Sequence, residues 1–157
     1  MKSIIMCTSV SHGNTKRIAD VMGQVLDARV VEPEQVDIAE LAAYDLVGFG
    51  SGIYLGSFHS RLLEFVESLP EGQRHKAFVF ATSGFPDARP HAFSRPLVRR
   101  LGQKGFEVID TFSCRAFDTY LPFRLVGGIR KGRPNAADLE SARTFAEGLP
   151  ARAGARP

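Results

Sequence analysis

No apolar run in this chain approaches the roughly 18 residues of a membrane-spanning helix. Its N-terminus sets only Lys2 before a six-residue apolar-leaning stretch, too short for the core of a signal peptide. Cysteine is scarce. Cys7 and Cys114 stand far apart and fit neither a CxxC nor a metal-ligand spacing, so a reducing cytoplasm is the expected compartment. His59, His75 and His91 have no carboxylate or histidine partner at ligand spacing, which argues against a metal site. Phe49 occupies the place where a nucleophile elbow around Ser51 would need glycine, which argues against a serine hydrolase. Internal repeats, low-complexity blocks and a second domain are also missing. The net charge is only +3, with basic residues gathered at Arg99–Arg100 and at Arg124, Arg130, Lys131 and Arg133. No aromatic residues interleave with them in the RNA-binding manner, so a solvated face is the better reading and nucleic acid is not an expected partner.

What remains is 157 residues of ordinary globular composition, 44% hydrophobic and 24% charged, near the common size of a single domain. Strand-like and helix-like segments alternate. Lys2–Cys7 reads as a first strand. Asn14–Ala28 reads as a helix with Ile18, Val21, Met22, Val25 and Leu26 on one face. Arg29–Val31 and Asp45–Gly50 are the next two strands, and Phe58–Leu69 is a helix that Pro70 ends. Lys76–Thr82 is a fourth strand, Pro90–Gly105 a helix disturbed by Pro96, and Phe106–Ser113 a fifth strand. A last helix starts at Asn135, its cap, with Asp138 at the positive end and Leu139, Ala142, Phe145, Ala146 and Leu149 facing inward. On this reading residues 1–149 form one domain and 150–157 a disordered tail with nothing to bury. Five strands alternating with helices predict an α/β doubly wound parallel sheet covered on both faces.

The loop after the first strand carries the clearest chemistry. Thr8-Ser9-Val10-Ser11-His12-Gly13-Asn14-Thr15 breaks an apolar strand into hydroxyls and a glycine, then opens a helix. Amides of a tight loop and of a helix N-terminus converge in such a turn, with a dipole that favours an anion. Ser9, Ser11 and Thr15 add hydroxyl donors, and Asn14 is the expected N-cap. An ordinary polar turn is the alternative. No lysine follows Gly13 in P-loop register, and one glycine cannot make a dinucleotide fingerprint. A lone monophosphate therefore fits better than a triphosphate or pyrophosphate. Two further polar loops, Ser51–His59 and Thr82–Pro86, also follow strands. Ligands of such sheets bind at the strands' carboxyl ends.

These residues resemble a known family. Thr8–Thr15 is similar to the flavodoxin phosphate loop, whose signature ends in Gly-Asn-Thr. Gly50–Gly56 falls where that family has its second flavin loop, and Ala81–Phe85 where it has the third. The resemblance covers about residues 1–149. It implies a flavodoxin-like three-layer sandwich with a five-stranded parallel sheet of order 2-1-3-4-5, and noncovalent FMN at the switch between the first and third strands. The implied cofactor-binding residues are Ser9, Ser11, His12, Gly13, Asn14, Thr15, Gly52, Ile53, Tyr54, Leu55, Thr82, Ser83, Gly84 and Phe85. Tyr54 is favoured to stack on the flavin over merely packing at a loop edge, and Phe85 is a weaker candidate. Thr82, Ser83 and Gly84 offer donors to the pyrimidine edge. His12 can either donate to the phosphate or face solvent. The family also implies a moving peptide in the second loop, assigned here to Leu55–Gly56.

Electron-transfer flavodoxins are strongly acidic, and this chain is slightly basic. Gly50–Ser60 with Leu62–Val66 is also similar to the flavodoxin-like protoporphyrinogen oxidases, although Cys114–Pro134 is shorter than their insertion. The expected function is an FMN electron carrier working with a redox partner protein (a reductase or an acceptor), as a monomer or weak dimer and with no residue acting as a catalytic acid, base or nucleophile. The alternatives are an oxidoreductase of the protoporphyrinogen oxidase or quinone reductase type, and a flavin-free interaction domain. The strand order also predicts that Cys7 and Cys114 stay unbridged.

Overall fold

Six consecutive buried residues, Ser3–Thr8, form strand β1, an interior strand of the sheet, as their apolar run requires when helices cover both faces. The computed structural model describes residues 1–9, 13–54, 57–83, 90–115 and 134–154. After β1 come α1 (Asn14–Leu26), β2 (Arg29–Val31) and two short 3-10 turns (Pro33–Gln35 and Ile38–Ala43). They are followed by β3 (Leu46–Tyr54), β4 (Ser57–Phe58), α2 (Ser60–Ser68), β5 (Lys76–Ser83), α3 (Pro90–Gln103), β6 (Glu107–Arg115) and α4 (Ala136–Gly154). The parallel strands lie in the order β2-β1-β3-β5-β6, the expected 2-1-3-4-5 arrangement, and β4 adds a short antiparallel strand on β3.

Alternation along the strands divides the core into two layers. Ile4, Met6, Phe49 and Val79 pack with Leu62 and Val66 of α2 and with Leu97 and Leu101 of α3. Ile5, Cys7, Phe78 and Phe80 pack on the other side with Ile18 and Met22 of α1 and with Ala142, Ala146 and Leu149 of α4. Gly48 and Gly50 make this second layer possible, because a β-carbon at either would lie 2.5 Å from the Phe78 ring or 2.1 Å from the Phe80 ring.

Several boundaries differ from the sequence reading. The third strand does not stop at Gly50 but runs to Tyr54, because Ile53 and Tyr54 pair with Phe58 and Ser57. Phe58 thus belongs to a strand, and His59 becomes the N-cap of α2. α1 ends two residues early, where Asp27 takes a left-handed conformation (φ 50°) and the Ala28 amide bonds the Gly23 carbonyl at 2.9 Å. A bulge between Ala77 and Phe78 leaves Ile109 of β6 without a partner residue. That extra residue keeps Phe112 and Cys114 on the α1–α4 side.

α4 begins as expected. Asn135 Oδ1 accepts from the Asp138 amide (3.0 Å) and Asp138 Oδ2 accepts from the Asn135 amide (2.8 Å), a reciprocal capping box. The helix then continues past Leu149 to Gly154, where residues 150–154 were expected to be a disordered tail. Arg152 explains the extension: its guanidinium lies over the Phe145 ring, donates to the Phe145 carbonyl (3.0 Å) and pairs with Asp110 (3.0 Å). Residues 155–157 lie outside the described residues. Cys7 and Cys114 form no disulfide and lie on β1 and β6, with β3 and β5 between them. Three spacings of about 4.8 Å exceed the roughly 7 Å reach of a disulfide between α-carbons.

Candidate functional site

β1, β3 and β5 are parallel neighbours, so they deliver their carboxyl ends to one edge of the sheet. There Thr8 stands in register beside Ser51, and Gly52 beside Thr82. All three hydroxyl-bearing residues are buried. Thr8 Oγ1 is fully enclosed and has no hydrogen-bond partner among the described residues, an arrangement that costs stability unless something accepts or donates there.

The N-terminus of α1 closes on the same edge. Its N-cap is Gly13, in a left-handed conformation (φ 64°). A β-carbon there would meet nothing within 4 Å, so the glycine is required by backbone conformation and not by space. This displaces Asn14 from the capping position expected of it, since Asn14 is already helical and buried. Ser9 does the capping from across the loop, its Oγ accepting from the Lys16 amide at 3.3 Å. Thr15 Oγ1 lies 2.8 Å from Thr82 Oγ1 in a buried contact between residues 67 apart in sequence.

The second loop region is held by a different chain of bonds. Ser51 Oγ donates to the Gly52 carbonyl (2.8 Å) and accepts from the His59 amide (3.1 Å). His59 Nδ1 in turn accepts from the Arg61 amide at 3.1 Å, which caps α2 and requires the tautomer protonated on Nε2 when the ring is neutral. The strand end Gly52-Ile53-Tyr54 is thereby tied to the start of a helix. Ile53 packs half-buried against the first core layer.

Of the residues singled out by sequence, Asn14, Thr15, Gly52, Ile53, Tyr54, Thr82 and Ser83 come to this edge of the sheet on α1, β3 and β5, with Ser9 just after β1 and Gly13 just before α1. Ser11, His12, Leu55, Gly84 and Phe85 lie outside the described residues. Thr8, Ser51 and His59 were not singled out as site residues. Thr8 ends an apolar strand and His59 precedes a helical Ser60, which are the signals that could have found them.

The donor set is hydroxyls and helix amides, without a charged side chain among the described loop residues Thr8, Ser9 and Gly13–Thr15. Lys16 turns instead to Asp20 in an exposed pair at 3.0 Å. Burial above all, with Asp20 adding and Lys16 opposing, pushes the Cys7 thiol up to about 12. It stays neutral and is not a nucleophile. Such a set can hold an anion and orient a ligand.

A family model described as a flavodoxin domain matches residues 5–111. An uncharacterized protein of Methanocaldococcus jannaschii is 37% identical over 149 residues, covering 95% of this chain and 98% of that protein. Among solved structures, oxidised flavodoxin 2 from Bacillus cereus superposes with a TM-score of 0.72 at 21% identity, over 97% of this chain and 99% of that one. A flavodoxin from the domain Archaea gives a TM-score of 0.69 at 16% identity, over 99% and 100% of the two chains. At these identities the two structures speak to the fold.

Proposed function

This chain belongs to the flavodoxin family, and on that premise we propose that it binds FMN noncovalently at the carboxyl edge of its sheet and relays electrons between redox proteins. The observation that carries the reading is the N-terminus of α1, headed by left-handed Gly13, at a sheet edge where Thr15 meets Thr82 and where the buried Thr8 hydroxyl has no partner among the described residues. A phosphate dianion accepts hydrogen bonds only, and the described loop residues Thr8, Ser9 and Gly13–Thr15 offer donors without a charged side chain. Thr8, Ser11, Thr15 and the first-turn amides of α1 would hold the phosphate. Tyr54, Leu55 and the Thr82–Phe85 segment would border the ring. The flavin supplies one- and two-electron chemistry when bound, while the protein's residues bind it, orient it and exclude water. The reading needs no acid, base or nucleophile, in keeping with a thiol at Cys7 that is held neutral.

No helix of the described residues is long and apolar enough to cross a membrane. We place the protein in the cytoplasm, where two unbridged cysteines persist. Its partners are a reductase or an acceptor protein, chosen by a surface less acidic than is usual for such carriers.

The test is binding. Purified protein should be yellow or take up FMN to one equivalent, with the released cofactor identified by chromatography. Thr8→Val, which keeps the shape of the side chain, should weaken FMN by about 1–3 kcal/mol, the range for a lost bond to a charged group. Riboflavin, which lacks the phosphate, should bind the variant nearly as well as wild type. A protein that takes up neither flavin would sink the proposal. Equal losses for both ligands would remove Thr8 from the phosphate site.

A further inference from the structure

Thr82 lies near the end of β5 on the face that α1 covers, and its hydroxyl meets that of Thr15 at 2.8 Å, buried from solvent. A threonine hydroxyl has one proton to give and can accept two. Between two facing hydroxyls the direction of donation is therefore open until a third group decides it. A phosphate dianion decides it, because it can only accept. If Thr15 is to bind a phosphate through its side chain, its single proton must point to the anion. It can then only accept from Thr82, whose own proton must point to Thr15.

We propose that Thr82 is a positioning residue for phosphate binding, the outer member of a relay in which Thr82 donates to Thr15 and Thr15 donates to the anion. This inference rests on the FMN reading above and specifies how one of its residues works. Two consequences follow. Hydrogen bonds in a chain polarise one another, so Thr15 becomes a better donor than a lone hydroxyl. Secondly, the proton of Thr82 is committed, so this hydroxyl cannot also donate to the pyrimidine edge of a flavin. Donors for that edge must come from other groups of the third loop. The opposite polarity, Thr15 to Thr82 to ring, makes the contrary forecast for ligand selectivity, and this makes the proposal testable.

The experiment measures dissociation constants of FMN and riboflavin by flavin fluorescence quenching, on the full chain at neutral pH. The proteins are wild type, Thr82→Val, Thr82→Ser, Thr15→Val and the Thr15→Val/Thr82→Val double variant. Thr82→Val should weaken FMN roughly 5- to 50-fold, the range for losing support of a bond to a charged group. Riboflavin should change by less than about twofold, and Thr82→Ser should restore FMN to within about threefold of wild type. The double variant should bind FMN no worse than Thr15→Val alone, because the two hydroxyls act as one unit. Thr82→Ala, which also lacks the hydroxyl, replaces the valine variant should that one fail to fold. Equal losses for FMN and riboflavin, or independent additive losses in the double variant, would overturn the relay and leave the FMN reading standing. A wild type that binds riboflavin as tightly as FMN would overturn both.

Discussion

At Gly50 a β-carbon would lie 2.1 Å from Cζ of Phe80 and 2.2 Å from Cε2, and neither ring atom belongs to a free end, since Phe80 is fully buried. Glycine ordinarily weakens a strand because it packs nothing. Here the neighbouring strand supplies the missing side chain, laying an aromatic ring across the backbone. Phe78 does the same over Gly48, and the two rings stack at 6.0 Å between centroids. Gly50→Ala should therefore cost on the order of 1–3 kcal/mol through overpacking, read as a fall in the urea midpoint at constant slope. Adding Phe80→Leu, which removes the clashing ring atoms, should leave the double variant less destabilised than the sum of the single changes. Gly102 is the control: it is helical and a β-carbon there meets nothing within 4 Å, so Gly102→Ala should be neutral or stabilising by up to about 1 kcal/mol. If both alanine variants melt alike, ring-over-glycine packing is not what fixes these two positions.

Between elements, the site depends on His59, which joins the end of β3 to the start of α2 through its amide and its ring at once. His59→Ala removes the acceptor from the first turn of α2 and should cost about 0.5–2 kcal/mol, whereas His59→Asn, itself a good cap, should recover most of that. Thermal melts of the three proteins decide it, and equal stabilities would mean the cap carries no weight. The same elements show what a sequence can reveal. The N-terminus of α4 was legible because its capping box is local, Asn135 and Asp138 standing three residues apart. The parallel strand order was legible through the family resemblance and the hydroxyl-rich loops through their residues. Less visible was the extension of β3 through Ser51-Gly52-Ile53-Tyr54, which reads as a loop because glycines break the alternation. Its pairing with Ser57–Phe58 is what makes it a strand. The bulge at Ile109 is invisible in β6 alone, since β5 sets its register. Pro150 and small residues made the end of α4 look like a stop, yet Arg152 finds Asp110, 42 residues away along the chain. The Thr15–Thr82 contact eluded sequence for the same reason: each residue is readable as a donor, but their partnership exists only once the start of α1 meets the end of β5.

For the molecule as a whole, the interior position of β1 ties global stability to the ionisation of a single thiol. Cys7 is sealed between α1 and the sheet in the second core layer, and burial raises it from an ordinary value of 9.0 to about 12. In the unfolded chain the thiol has its ordinary value, so the two states hold the same proton below about pH 9 and stability does not depend on Cys7 there. Above it the unfolded chain releases a proton that the folded protein keeps, and folding becomes less favourable as pH rises toward 12. Each pH unit in that window removes about 1.4 kcal/mol, the value of one proton. Urea unfolding in the presence of a reductant, at about pH 8 and about pH 10.5, should show wild type losing roughly 2 kcal/mol more than Cys7→Ala over that interval. The alanine variant will start lower, because the small cavity costs stability at every pH. The comparison is therefore between the two pH dependences. Lysines and tyrosines titrate in both proteins and cancel in the difference. Parallel pH profiles would mean that water or base reaches Cys7 in the folded state, and the sheet would then be open at β1, next to the loop that the FMN reading needs closed.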